Sequence, residues 1–347
     1  MPPRKKRPDA LKRVSNPPNP WLSHVVEYLG EPPKAELHLH EDSSRTILAH
    51  NNSPDVPFTW SVNPYRGCVH GCAYCYARPG HETLGFGAGS DFDRHIVFKP
   101  KAAELLREAF EKRSWKGEVV IFSGVTDCYQ PLEASLELTR QCLEVCLEYR
   151  NPVAIITKSA LIERDAELLA ELHREAYCQV LLSIPFFDPE KARAIEPTVP
   201  TPARRFKAIR RLSEAGVPTG VNVAPIIPGL TDEDIPQILE HAYEAGARYA
   251  GKILVRLPSP VKEVFIERLR SAFPHRAKKI LHAIESCRGG ALSETRFGHR
   301  MRGQGPRWDA IVGLFEQSCN RLGYGEHVPV PSPSPFRRPS PQFTLGL

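Results

Sequence analysis

No run of about 18 apolar residues occurs anywhere in the 347 residues, so the sequence offers no membrane-spanning helix. The N-terminal stretch MPPRKKRPDALKRVSNPP is basic but lacks the apolar segment of a secretory signal. A cytoplasmic protein is expected, with no membrane partner. Compositional extremes are missing too: 41% hydrophobic, 25% charged and 8% aromatic residues exclude wholesale disorder, collagen and coiled coil. A disulfide framework is excluded by an odd count of nine cysteines, six of them scattered. That usage suits reduced thiols and one metal site in a reducing compartment.

What is abundant is proline, 34 residues, about twice average usage. The formal net charge is +6, and nearly all of it sits in residues 1–13, where Arg4, Lys5, Lys6, Arg7, Lys12 and Arg13 face only Asp9. Residues 1–21 read as a basic disordered arm, either a solvated end or an attachment to a polyanion. Residues 22–57 carry little pattern and read as a wrap around the domain. Residues 328–347 hold Pro329, Pro331, Pro333, Pro335, Pro339 and Pro341, an extended tail that can be neither helix nor central strand.

Between these ends the pattern alternates. Short Val- and Ile-rich runs at 58–62, 119–122, 153–157, 180–184, 220–226 and 252–257 suit buried parallel strands. Stretches with helical spacing separate them, at 101–113, 136–147, 161–173, 202–215 and 232–245. Gly216 and Gly246 fit C-terminal caps and Asp232 fits an N-cap. About six strand–helix units predict an α/β fold with a parallel sheet, open or curled into a partial barrel. Helical segments at 263–272, 276–287 and 308–321 form a C-terminal extension over 259–327.

The chemistry begins at NPYRGCVHGCAYCY, residues 63–76. Cys68, Cys72 and Cys75 are spaced C-x3-C-x2-C just after the first predicted strand, and Gly67 and Gly71 allow a tight turn. Three thiolates on one short loop can hold three irons of a cubane [4Fe-4S] cluster, leaving the fourth open. A structural zinc with His70 as fourth ligand is the other arrangement these residues offer. Against it, no second C-x-x-C or H-x-x-x-H pair appears, although structural zinc usually takes two paired sets. His70, His81 and Glu82 near the loop read as structural.

This loop, with Tyr74 before the last cysteine, resembles the radical S-adenosylmethionine (SAM) superfamily. Cys75-Tyr76, Thr126-Asp127, Thr157-Lys158-Ser159 and Ser183 resemble its spore photoproduct lyase-like branch. The blocks NPYRGC, HGCAYCYARP, SPDVPF, TDCYQPLE and RLPSPV look like a bacterial group within that branch. The resemblance covers about residues 45–325. It implies a partial (β/α)6 radical SAM barrel over 58–258, with the C-terminal helical extension and disordered tails beside it. It also implies a [4Fe-4S] cluster whose open iron binds SAM. One electron from an external reductant would cleave SAM to methionine and a 5′-deoxyadenosyl radical, which would take hydrogen from a substrate. The cofactor carries the hard chemistry.

By the same resemblance Lys158 and Ser183, at strand ends, contact SAM near its carboxylate and ribose. Thr126 and Asp127 sit beside them, Asn222 borders the adenine, and Tyr74 and Tyr76 lie close to the cofactor. Each has a plainer reading: Lys158 pairing with Glu163 or Asp165, Ser183 capping the turn before Pro185, Asp127 ordering Tyr129 or Arg256. One departure is clear. The lyase carries a hydrogen-donating cysteine just upstream of its Thr/Ser-Asp pair, where this chain has Gly124 and Val125. Cys128 follows the Asp instead, as a relocated donor or a buried structural thiol.

On the substrate side, Arg296, Arg300, Arg302 and Arg307 interleave with Phe297 and Trp308. Guanidinium forks suit phosphates and aromatic faces suit bases, so damaged nucleic acid is a candidate substrate. The other reading is a basic loop covering the barrel bottom or pairing with Glu294 and Glu285. The tail ends in Gln342-Phe343-Thr344-Leu345-Gly346-Leu347, which is similar to peptides that dock on the replication sliding clamp. A monomer is expected. A different function class also fits: a nucleic-acid-binding accessory protein with a structural cluster.

Overall fold

The computed structural model describes residues 36–339 and the backbone of 11–14. Within them, strands β1 (Leu11–Val14), β2 (His38–Asp42), β3 (Leu48–His50), β4 (Trp60–Val62), β5 (Tyr65–Arg66), β6 (His95–Phe98), β7 (Val120–Phe122), β8 (Val153–Thr157), β9 (Cys178–Ser183), β10 (Thr219–Ile226) and β11 (Tyr249–Leu254) form two sheets. The larger is ordered β11-β10-β9-β8-β7-β4-β3. Its six strands from β4 to β11 are parallel, and β3 closes one edge antiparallel to β4. Its outer strands do not join, so the barrel is partial.

Parallel strands flanked by helices are buried on both faces, which is why they read as continuous apolar runs. Val62, Val120, Phe122, Val153, Val180, Val221 and Val223 have no exposed surface. Burying each such side chain contributes about 1.5–3 kcal/mol. Helices Ala102–Glu111, Leu138–Glu148, Ala166–Glu175, Pro202–Glu214 and Ile235–Glu244 cover them. Gly216 and Gly246 follow two of these at φ +87° and +107°, the left-handed conformation that closes a helix. Asp232 does not cap its helix: its carboxylate accepts the Gly229 N–H at 2.8 Å. The strand expected at 252–257 lies three residues earlier. Its last apolar residues, Val255 and Leu257, pack under the connection that follows. Among the described residues no helix is long and apolar enough to cross a membrane.

The second sheet, β1-β2-β6-β5, lacks a signal in the sequence pattern. β2 and β3 fall inside the stretch read as a featureless wrap. β1 pairs antiparallel with β2 inside the stretch read as a disordered arm, with Lys12 opposite Glu41 in register. The rest of that arm lies outside the described residues. At the other end, Phe336 stacks against Tyr149 and packs edge-on to Phe110. Arg338 donates to the carbonyls of Phe110 and Lys112. The tail is therefore a packed strap as far as residue 339, because Phe336 finds an aromatic niche. Residues 342–347, with the clamp-like peptide, lie outside the described residues.

Candidate active site

The cysteine loop leaves the C-terminal end of β4 and is fixed mainly by backbone contacts. Gly67 stands at φ +78°, and a Cβ there would come within 2.9 Å of the His95 carbonyl. Cys68 N–H donates to Phe92 O and Ala73 N–H to Ile195 O, both at 3.0 Å. Arg78, only 1% exposed, donates from its fork to the carbonyls of Cys72, Ala88 and Gly89, and to Asp93 at 2.9 Å. Sequence reasoning missed Arg78. Its only signal is its place in the block HGCAYCYARP.

All nine cysteines are free. Cys68 and Cys72 are buried and Cys75 partly so. Burial pushes the Cys72 thiol well up and that of Cys75 to about 11, with Lys158 pulling both the other way. Thiolates at this depth need a cationic group to hold them. His70 Nδ1 turns toward Asp127, 3.4 Å away, instead of joining the cysteines. That geometry disfavours the zinc arrangement. His70 Nε2 is buried without a hydrogen bond, a deficit that a group bound inside the loop would meet. The residues fit a three-thiolate iron–sulfur cluster.

Asp127 ties the loop to the sheet edge. Its carboxylate accepts from Thr157 Oγ1 at 2.6 Å, Tyr129 N at 3.0 Å and Lys158 N at 2.8 Å. Burial alone would raise its pKa, but neighbouring His70 and these hydrogen bonds hold it at about 2. Asp127 thus orders Tyr129 and the Lys158 backbone, and does not reach Arg256. Thr126 is spent on the loop itself, donating to Gly67 O at 2.6 Å beside Gln130, which donates to the same carbonyl.

Lys158 does not pair with Glu163 or Asp165. Glu163 is taken by Arg204, and Asp165 by Arg140 and Arg164. The Lys158 ammonium lies 5.6 Å from the Tyr74 ring centroid, beside the cysteines. Ser183 ends β9, 3% exposed, with Asn222 of β10 paired opposite it. Asn222 Oδ1 leans over Gly251 of β11, where a Cβ would meet it at 2.9 Å. Gly251 was not singled out from sequence. Tyr74 is buried, and its hydroxyl donates to Glu196. Glu196 in turn holds Arg205, which donates to Ser183 O at 2.8 Å. A buried relay thus joins the cysteine loop to the end of β9.

Two sequence expectations need correction. Cys128 has no exposed surface and sits in the apolar core, with burial pushing its thiol well up. Of its two readings, relocated donor and buried structural thiol, this burial favours the second. Trp308 is buried against Leu254 and Gly303 and offers no stacking face. Tyr76 is the opposite case, 53% exposed, donating to Gly124 O at 3.0 Å. The arginine loop does not cover the barrel bottom, but Arg296 does pair with Glu294, at 2.7 Å. The loop comes to the cluster side, where Arg300 pairs with Asp55 and Met301 Sδ meets Arg256 at 3.4 Å.

Residues 62–242, more than half of the chain, match the family model of the Radical SAM superfamily. A protein of Mycobacterium tuberculosis (strain H37Rv), described only as uncharacterised, is 39% identical over 198 residues, 56% of this chain and 58% of that protein. The chain therefore matches less than two thirds of that relative's length. The radical SAM Nalpha-GlyT isomerase of Pseudomonas phage M6 is 24% identical over 76% of this chain and 54% of its own. Among solved structures, spore photoproduct lyase complexed with dinucleoside spore photoproduct superposes with TM-score 0.59 at 16% identity, over 82% of this chain and 79% of that one.

Proposed function

This chain belongs to the radical SAM superfamily, and from that premise we propose an enzyme that cleaves SAM reductively and abstracts hydrogen from a nucleic-acid substrate. When bound, a [4Fe-4S] cluster would supply the electron that splits SAM into methionine and a 5′-deoxyadenosyl radical. Cys68, Cys72 and Cys75 would hold that cluster. Lys158 would take the SAM carboxylate, and Ser183 with Asn222 would border its ribose and adenine. The carrying observation is that Lys158, Ser183 and Asn222 stand at the same sheet edge as the cysteine loop, with the Lys158 cation unclaimed by Glu163 and Asp165.

The nucleic-acid reading is supported by exposed Phe297 and Arg302, on the loop whose Arg300 and Met301 reach Asp55 and Arg256. Arg300 caps the Phe297 ring at 4.3 Å. The two named relatives, a lyase holding a dinucleoside and a GlyT isomerase, are in keeping with it. Nine free thiols suit a reducing cytoplasm, where an external carrier would deliver the electron.

The test is anaerobic turnover. The reconstituted protein, reduced with dithionite and given SAM, releases 5′-deoxyadenosine, and damaged DNA raises the yield. An iron-loaded protein that makes none would instead be an accessory protein whose cluster is structural.

A further inference from the structure

Two guanidiniums near the barrel mouth make no direct ion pair among the described residues and feel Asp55 and Glu294 only through space. Arg256 follows β11 and lies 5.8 Å from the centroid of Tyr76, the residue after the last cysteine. Its Nη1 meets only the weak acceptor Met301 Sδ, and its Nε is buried with no partner. Behind it Arg288, 7% exposed, donates to the backbone carbonyls of Val255 and Arg300, and its Nε is also buried and unpartnered. The nearby carboxylates are taken. Asp55 is held by Arg300 and the Gly298 N–H, and Glu294 by Arg296. Among the described residues neither Arg256 nor Arg288 makes an ion pair.

Guanidinium donors buried without a partner, as both Nε atoms are, are costly, and proteins normally satisfy them. Burial first, then Arg256's own charge, lowers the Arg288 pKa to about 10. A guanidinium fork with free donors at a site mouth matches a phosphate, which accepts two parallel N–H bonds. We propose that Arg256, braced from behind by Arg288, is the subsite for a phosphate oxyanion of the substrate, with Tyr76 beside it to carry the attached nucleoside. This rests on the nucleic-acid reading above and names the residue that holds the strand. The oxyanion can come from a phosphodiester within a strand or from the terminal phosphate of a free nucleotide.

The experiment uses the full-length, cluster-loaded protein, oxidised so that no turnover occurs. Fluorescence anisotropy follows a labelled eight-thymidine strand, and calorimetry follows thymidine 5′-monophosphate and SAM separately. Arg256→Gln weakens strand binding about tenfold or more, and lowers the slope of log K against log salt by about one. Arg256→Lys, which keeps the charge and loses the fork, weakens it several-fold and serves if the Gln variant fails to fold. Arg174→Gln, an equal loss of exposed charge on the helix Ala166–Glu175, changes affinity less than about twofold. SAM affinity stays constant throughout. Nucleotide binding that depends on Arg256, without strand binding, supports the subsite and ends the strand reading. Equal weakening by Arg256→Gln and Arg174→Gln overturns the proposal. So does loss of SAM binding in step with strand binding, which would assign Arg256 to the SAM carboxylate, and so does a wild-type protein that binds neither phosphate probe.

Discussion

The Tyr74 hydroxyl donates to the Glu196 carboxylate inside the core, and so ties the cysteine loop to a segment 122 residues away. Glu196 also neutralises Arg205, and neither side chain has exposed surface. Removing one partner of such a pair strands a buried charge, at a cost of about 3–5 kcal/mol. Glu196→Ala therefore lowers the urea unfolding free energy by that amount and reduces iron loading, because the loop loses its anchor. A loss below about 1 kcal/mol would show that the relay is not a structural tie.

Cys68, Cys72 and Cys75 differ from the other six cysteines by position. Cys128, Cys142, Cys146, Cys178 and Cys287 are buried away from the loop, and Cys319 is half-buried beside Lys252. Single Ala variants at 68, 72 or 75 lose the cluster's visible absorbance and most of their iron. The other six retain it, even where stability falls through a core cavity. If Cys128→Ala or Cys178→Ala loses iron as fully as Cys68→Ala, the ligand set is wrong.

His81 carries a pH dependence. It is buried among Phe86 and Phe92, its Nε2 has no partner, and burial lowers its pKa to about 4. An unfolded histidine titrates near ~6.5. Between those values the unfolded chain holds a proton that the folded chain lacks. Stability is therefore complete above about pH 6.5 and drains as pH falls toward 4. His81→Phe fits the aromatic surroundings and removes this part of the loss. Urea midpoints at pH 7 and pH 5 test it, and an equal drop in both proteins would discard the assignment.

What the sequence showed clearly was local or repetitive. The cysteine loop lies within eight residues, and β8 matches its apolar run, Val153–Thr157, end to end. The second sheet was illegible because its strands present histidines. His38, His40 and His95 stack on one another and on Phe86, so a pattern that reads as polar packs as aromatic. Arg78 and Glu196 were missed for a related reason. Their partners are backbone carbonyls or residues far along the chain, and spacing carries no trace of either. The proline-rich tail was rightly denied a helix, but nothing in its own composition announces that Phe336 fills a niche built by Phe110 and Tyr149.

Lys158 and Gly251 separate cofactor binding from cluster assembly. The Lys158 side chain has no carboxylate partner among the described residues and lies beside Tyr74 and the cysteines. A hydrogen bond to a charged group is worth about 1.5–3 kcal/mol. Lys158→Ala should thus weaken SAM binding roughly tenfold or more and leave the iron content unchanged. Gly251→Ala acts on the same pocket from another strand, because its new methyl would meet Asn222 Oδ1 at 2.9 Å. The asparagine must swing from its place opposite Ser183, so SAM affinity falls again with iron retained. Calorimetric titration of SAM into each iron-loaded variant measures both effects. If Asn222 serves SAM, Asn222→Ala and the Asn222→Ala, Gly251→Ala double variant should bind SAM equally, since the methyl then has nothing to displace. A further loss in the double variant would mean that Gly251 acts through the backbone, not through the asparagine.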